Sequence, residues 1–253
     1  MVMKRALLSK ELREGWWKFA LGTGFLILTA ALIPLMYNWI IDFLSGAGTE
    51  EMSSFIPDTT FLDDQLLYLW SQWNGKNLYQ FGSLLAIILG MSPVASEVKG
   101  DTIGFLLARP LSRATILVVK ALAGIMLLVI SVFLSTLVLI AISRVVFAGV
   151  EIIPLLVATL NTLLGLLVIY SLALLFSVLL DEQIMAGLLT VLVLIIAYLP
   201  GWLNPALPSL VTFIDGSDYI LDGSFSYYRL LSMGFLFIAL HALGLYFFKN
   251  KDY

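Results

Sequence analysis

Few side chains on this chain can do chemistry. Glu97, Lys99, Asp101, Arg109 and Arg113 crowd into residues 96–120 together with Thr102, Ser112 and Lys120, and the apolar Ile103, Phe105, Leu106 and Leu107 stand among them at near-helical spacing. That mixture suits recognition of another protein, with an apolar face to seat in a groove and charges to fix register. Arg109-Pro110 stops the helical pattern, because proline lacks an N–H and the residue before it disfavours α geometry. Ser112-Arg113 restarts it as an N-capped helix. The plainer reading of this stretch is a connection between two membrane helices whose basic residues only set topology.

Catalytic constellations are mostly missing. A single histidine, His241, excludes an HExxH zinc pair, and no GxxxxGK[ST] phosphate loop or GxSxG elbow occurs. There is no cysteine, hence no thiolate metal site and no disulfide. His241 and Asn161 fall inside apolar runs, where a polar residue serves either a polar pathway or proton relay or, more commonly, packing between helices. An intramembrane protease of the glutamate type would need Glu, His and Asn together at membrane depth, and this chain is poor in such residues there.

The elements that position these residues are hydrocarbon. Of 253 residues 60% are hydrophobic and only 12% charged, against roughly 25% charged in soluble domains. The fold class expected is all-α, a polytopic membrane protein of one domain with six transmembrane helices over 19–41, 78–95, 116–143, 153–180, 184–200 and 230–248. Residues 1–18 carry Lys4, Arg5, Lys10, Glu11, Arg13 and Lys18 among leucines and tryptophans, and read as an amphipathic helix on an anionic membrane surface. Residues 42–77 are acidic and read as an outer loop, 96–115 as a loop on the opposite side. Residues 201–228, broken by Gly201, Pro205 and Pro208, read as a re-entrant outer segment.

Six spans put both termini on one side. Grouping them with residues 96–120 and the Asp181-Glu182 turn collects eleven of the fourteen basic residues there, so the positive-inside rule makes that side cytoplasmic. A net charge of −3 gives no reason to expect nucleic acid as a partner.

The order Glu97, Gly100-Asp101-Thr102, Leu106-Leu107, Arg109-Pro110, Ser112-Arg113 and Lys120 resembles the cytoplasmic signature of ABC transporter permeases of the type-2 exporter family, and Lys10-Glu11-Leu12-Arg13 resembles the basic helix before that family's first span. The resemblance covers the six-span layout, while its specific part is confined to these motifs. It implies a transport subunit, not an enzyme, with no cofactor of its own. ATP and magnesium would sit on a separate ABC ATPase, and a second permease copy, identical or related, would complete the pathway. Residues Glu97, Lys99, Gly100, Thr102, Leu106, Leu107, Pro110 and Arg113 would then couple to the ATPase, with Lys10, Glu11 and Arg13 on a docking helix. Leu106 and Leu107 are the expected seating residues, and Glu97 and Arg113 the expected register-setting ones. A non-transporting scaffold or sensor that holds a cytosolic protein through the same loop is the alternative.

Overall fold

In a computed structural model the chain is helical throughout its ordered elements. Residues 2–46, 64–147, 149–204 and 209–252 are described, and no strand occurs among them. Helix α1 (Val2–Gly46) is continuous through Pro34, so the expected surface helix 1–18 is not separate from the first span. At 1.5 Å per residue it is about 68 Å long, more than twice a hydrocarbon core of about 30 Å. Its first turns pack on protein, with Leu7 fully buried.

Most of the expected outer loop, residues 47–63, lies outside the described residues. The loop does not extend to residue 77. Asp64 caps α2 (Gln65–Gln72) by accepting the Leu66 and Leu67 amides, a π-helical turn covers Trp73–Leu78, and α3 (Tyr79–Gly90) follows without a break. The helical stretch that holds the expected second span therefore begins at Gln65, well before residue 78, and ends at Gly90. Asn74, Lys76 and Asn77 gave this stretch the composition of a loop, but Asn74 is buried against a neighbouring helix while only Lys76 is exposed.

Two short helices, α4 (Ala95–Lys99) and α5 (Ile103–Leu107), precede α6 (Arg113–Val146). Ser112 starts α6 by accepting the Thr115 amide, three residues earlier than the span expected from 116. Helices α7 (Ile152–Leu179) and α8 (Gln183–Leu203) follow, then the short α9 (Leu210–Ile214) and α10 (Ser217–Asp222), and α11 (Tyr227–Asn250). Of the segment expected as re-entrant, residues 205–208 lie outside the described residues, and the rest holds the end of α8 and the short helices α9 and α10. Among the described residues five helices are long and apolar enough to cross a membrane: Met3–Phe43, Arg113–Val146, Ile152–Leu179, Gln183–Leu203 and Tyr227–Asn250.

The core lies along α7, the most buried of the five. Small residues let it approach its neighbours, as membrane helices require. A side chain at Gly90 would come within 2.6 Å of the Tyr170 carbonyl, and the Tyr170 hydroxyl donates to Ala121 O at 3.1 Å. Polar contacts separate the two ends of the bundle. At one end Lys18 donates to Ser92 Oγ at 2.6 Å, Lys99 meets Glu182 at 2.8 Å and Lys251 meets Asp181 at 2.9 Å. At the other, Tyr37 packs on Tyr68 and Phe147, Tyr68 donates to Ile33 O, and Trp70 Nε1 donates to Asp215 O at 2.8 Å. The stretch from Tyr68 to Ser92 joins the two ends.

Candidate functional site

The loop between α3 and α6 is held from below by a neighbour. Val94 and Ala95 N–H, the orphan donors at the start of α4, both donate to Ser177 Oγ of α7, at 3.1 and 3.0 Å. Gly100 N–H closes α4 on Ser96 O. Asp101 then turns the chain through a left-handed φ of 53°, a conformation that aspartate tolerates better than most residues. Thr102 N–H returns to Glu97 O at 2.9 Å, and α5 sets off from there.

Glu97 is the hub. It is 6% exposed and its carboxylate accepts from Lys10 Nζ at 2.8 Å, from Lys120 Nζ at 3.0 Å and from the Thr102 hydroxyl. Lys120, equally buried, also donates to Glu11 at 2.7 Å. Two ammonium groups and two carboxylates thus neutralise one another where isolated charges would be costly. Burial alone would push the Glu97 carboxyl up; the Lys120 charge and the hydrogen bonds from Lys10, Thr102 and Lys120 outweigh it and hold the group at about 2. Glu11, Glu14 and Glu97 bring carboxylate oxygens within 4.8 Å of one another, and the two lysines supply the compensating charge.

This cluster ties three elements together: α1 through Lys10 and Glu11, the loop through Glu97, and α6 through Lys120. Sequence reasoning selected Lys10, Glu11 and Glu97 for a partner protein, whereas they face one another. It missed Lys120 as the common partner of Glu11 and Glu97. The available signal was a lone lysine inside an apolar run, with Ile116, Leu117, Val119 and Ala121 around it all buried.

The apolar face of the loop also differs from expectation. Leu106 is 3% exposed and belongs to the chain's own core, with Leu107 partly buried. Phe105 is the residue that points outward, 79% exposed, flanked by the exposed Gly104, Ala108, Arg109 and Pro110. In a one-turn helix, burial of Ile103 and Leu106 on one side forces Phe105 to the other. Arg113 donates to the Lys249 and Lys251 carbonyls at 3.0 and 2.8 Å, so it fixes the C-terminal end of α11, where cationic donors are favoured. Lys99 holds Glu182 at the start of α8, and Arg13 is exposed on α1.

The two intramembrane candidates lie apart from this site. Asn161 Nδ2 donates to Phe213 O and Ile214 O at 3.1 and 3.0 Å, satisfying the last carbonyls of α9, which is a packing role. His241 Nδ1 bonds Phe237 O one turn back, while its Nε2 is buried with no partner among the described residues.

The family described as ABC-2 family transporter protein matches residues 17–253. No curated protein matches the chain.

Proposed function

The chain belongs to the ABC-2 transporter family, and from that premise we propose that this multi-pass membrane permease is the translocating subunit of an ATP-driven exporter, coupled to a separate ABC ATPase through α5. The observation that carries the reading is the contrast within α5: Phe105 stands 79% exposed while Ile103 and Leu106 of the same helix, and Glu97 of α4 beneath it, are buried. A large apolar side chain held out on a rigid mount beside Arg109 is what a partner's groove can grip. The exposed Arg13 on α1 adds a second charged contact. The α1–loop–α6 ion cluster makes the docking surface one body with two helices of the bundle, so a push on Phe105 reaches the membrane rather than flexing a loop.

The remaining features fit. Six spans follow if residues 65–90 are taken as the sixth, since Tyr68 and Ser92 sit at opposite ends of the bundle. The end that gathers Lys10, Lys18, Lys99, Arg113 and Lys251 is then cytoplasmic by the positive-inside rule, with both termini. ATP and magnesium belong to the partner, as this chain has no phosphate loop. A second permease copy, the same chain or a relative, packs on the exposed apolar face of α8, where Met185, Leu188, Leu192 and Ile195 stand clear of the bundle.

The test is to purify the tagged chain with its bound proteins from host membranes. A phosphate-loop protein that co-purifies and hydrolyses ATP faster in the permease's presence supports the reading. A stable, bilayer-embedded chain that brings down no ATPase contradicts it.

A further inference from the structure

The second span is built unlike the others. Its middle, Trp73–Leu78, is π-helical, a turn one residue wider than an α turn, rare in proteins and found mostly where function needs it. Its side chains support that geometry. Asn77 Nδ2 donates to Gln72 O at 2.7 Å, across the widened turn, and Trp73 Nε1 donates to Thr136 Oγ1 of α6 at 3.2 Å.

Asn74 is incompletely satisfied here. Its amide nitrogen spends both hydrogens on Thr159 and Thr162 of α7, each at 3.2 Å. Those hydroxyls donate back to Leu155 O and Ala158 O, so they can only accept from Asn74. The Asn74 Oδ1 is left buried with no donor among the described residues, in a side chain of zero exposure. An orphaned acceptor is a standing cost that another arrangement can relieve. Gly75 follows directly. Nothing but the Trp70 carbonyl, at 3.9 Å, lies near where its side chain would be, so close packing does not require a glycine there, and its contribution is backbone freedom.

On either side of this turn the helix meets different neighbours. Below it, Gly82 abuts Leu166 and Gly90 abuts the Tyr170 carbonyl, which locks α3 to α7. Above it, α2 is held on α1, where Tyr68 donates to Ile33 O, and on the outer segment, where Trp70 Nε1 donates to Asp215 O at the end of α9, itself joined to α7 by Asn161.

We propose that the π turn Trp73–Leu78 is a joint at which the outer half of the second span moves relative to the inner half, and that the Trp70–Asp215 hydrogen bond carries this movement to α9. Shifting the surplus residue along the helix rotates the residues it passes by about 100°, which takes Asn74 off Thr159 and Thr162. The joint itself is a property of this chain; that its movement serves transport rests on the permease reading above.

Hydrogen exchange on the purified full chain in lipid nanodiscs tests the joint without any ATPase, so its failure is separate from failure of that reading. Gly75→Ala fits the open space and withdraws backbone freedom. It is expected to slow exchange of the 73–78 amides roughly five-fold and to slow the amides of Leu210–Ile214 by a similar factor. In a Trp70→Phe background, which lacks the N–H, the same substitution should slow only 73–78. Deletion of Gly75 turns π into α while leaving both flanks facing their present neighbours, and should bring 73–78 to the exchange rate of Tyr79–Gly90. Exchange in 73–78 already as slow as in Tyr79–Gly90, or an α9 indifferent to Gly75→Ala, would overturn the proposal.

Discussion

Lys120 of α6 places its ammonium 3.0 Å from the carboxylate of Glu97 on the loop and 2.7 Å from that of Glu11 on the first helix. One buried cation therefore joins three parts of the chain that are distant in sequence. Removing it leaves Glu11 buried with no salt-bridge partner among the described residues and only the more distant Lys10 charge to offset it, the costly way to break a buried pair. Lys120→Met should destabilise the purified permease by about 3–5 kcal/mol. Adding Glu11→Gln should recover much of this, because Glu97 keeps Lys10. Thermal unfolding in detergent, compared across the single and double variants, reads the difference.

The same cluster sets an acid limit. The Glu97 carboxyl lies at about 2 in the folded chain, below its ordinary 4.5, so its contribution to stability is complete above pH 4.5 and is lost as pH falls toward 2. Unfolding temperature attributable to this group should be flat from pH 7 to 5 and decline below 4.5. In Glu97→Gln that decline should be shallower, and an unchanged acid profile would remove Glu97 from the account.

Ser177 reaches from α7 to cap α4. Ser177→Ala orphans two amides and should cost about 1 kcal/mol, with hydrogen exchange accelerated at Val94 and Ala95 and little changed within α7.

Two glycines give a paired test of packing. Gly90→Ala places a methyl 2.6 Å from the Tyr170 carbonyl and should cost about 1–3 kcal/mol as the helices part. Gly104→Ala meets nothing within 4 Å and should leave unfolding unchanged or raise stability by up to about 1 kcal/mol.

The membrane-spanning character, the proline stop, the Ser112 cap and the concentration of charge and turn chemistry in residues 96–120 were legible in the sequence, because each follows from local composition or turn chemistry. What was not legible depended on which surface faced inward. Leu106 and Phe105 are adjacent and both apolar, and only the docking of Ile103 on the core decides which of them is left outside. That Lys10, Glu11 and Glu97 meet one another and Lys120 was not legible, since a charge beside a membrane looks the same whether it awaits a partner protein or a lysine from another helix. The π turn escaped because Asn74, Gly75 and Lys76 together have the composition of a loop, and hydrogen bonds to Thr159 and Thr162, far off in sequence, hold that stretch in a helix packed on α7.

The central claim is that a partner ATPase grips Phe105. The most direct measurement is capture of an ATPase by the tagged chain from solubilised host membranes, comparing wild type, Phe105→Asp and Gly104→Ala at equal amounts of folded permease. Loss of an interface anchor of this size costs about 2 kcal/mol or more, so Phe105→Asp should capture at least roughly 30-fold less ATPase while unfolding at the wild-type temperature, and Gly104→Ala should capture it normally. Undiminished capture by Phe105→Asp would contradict the claim.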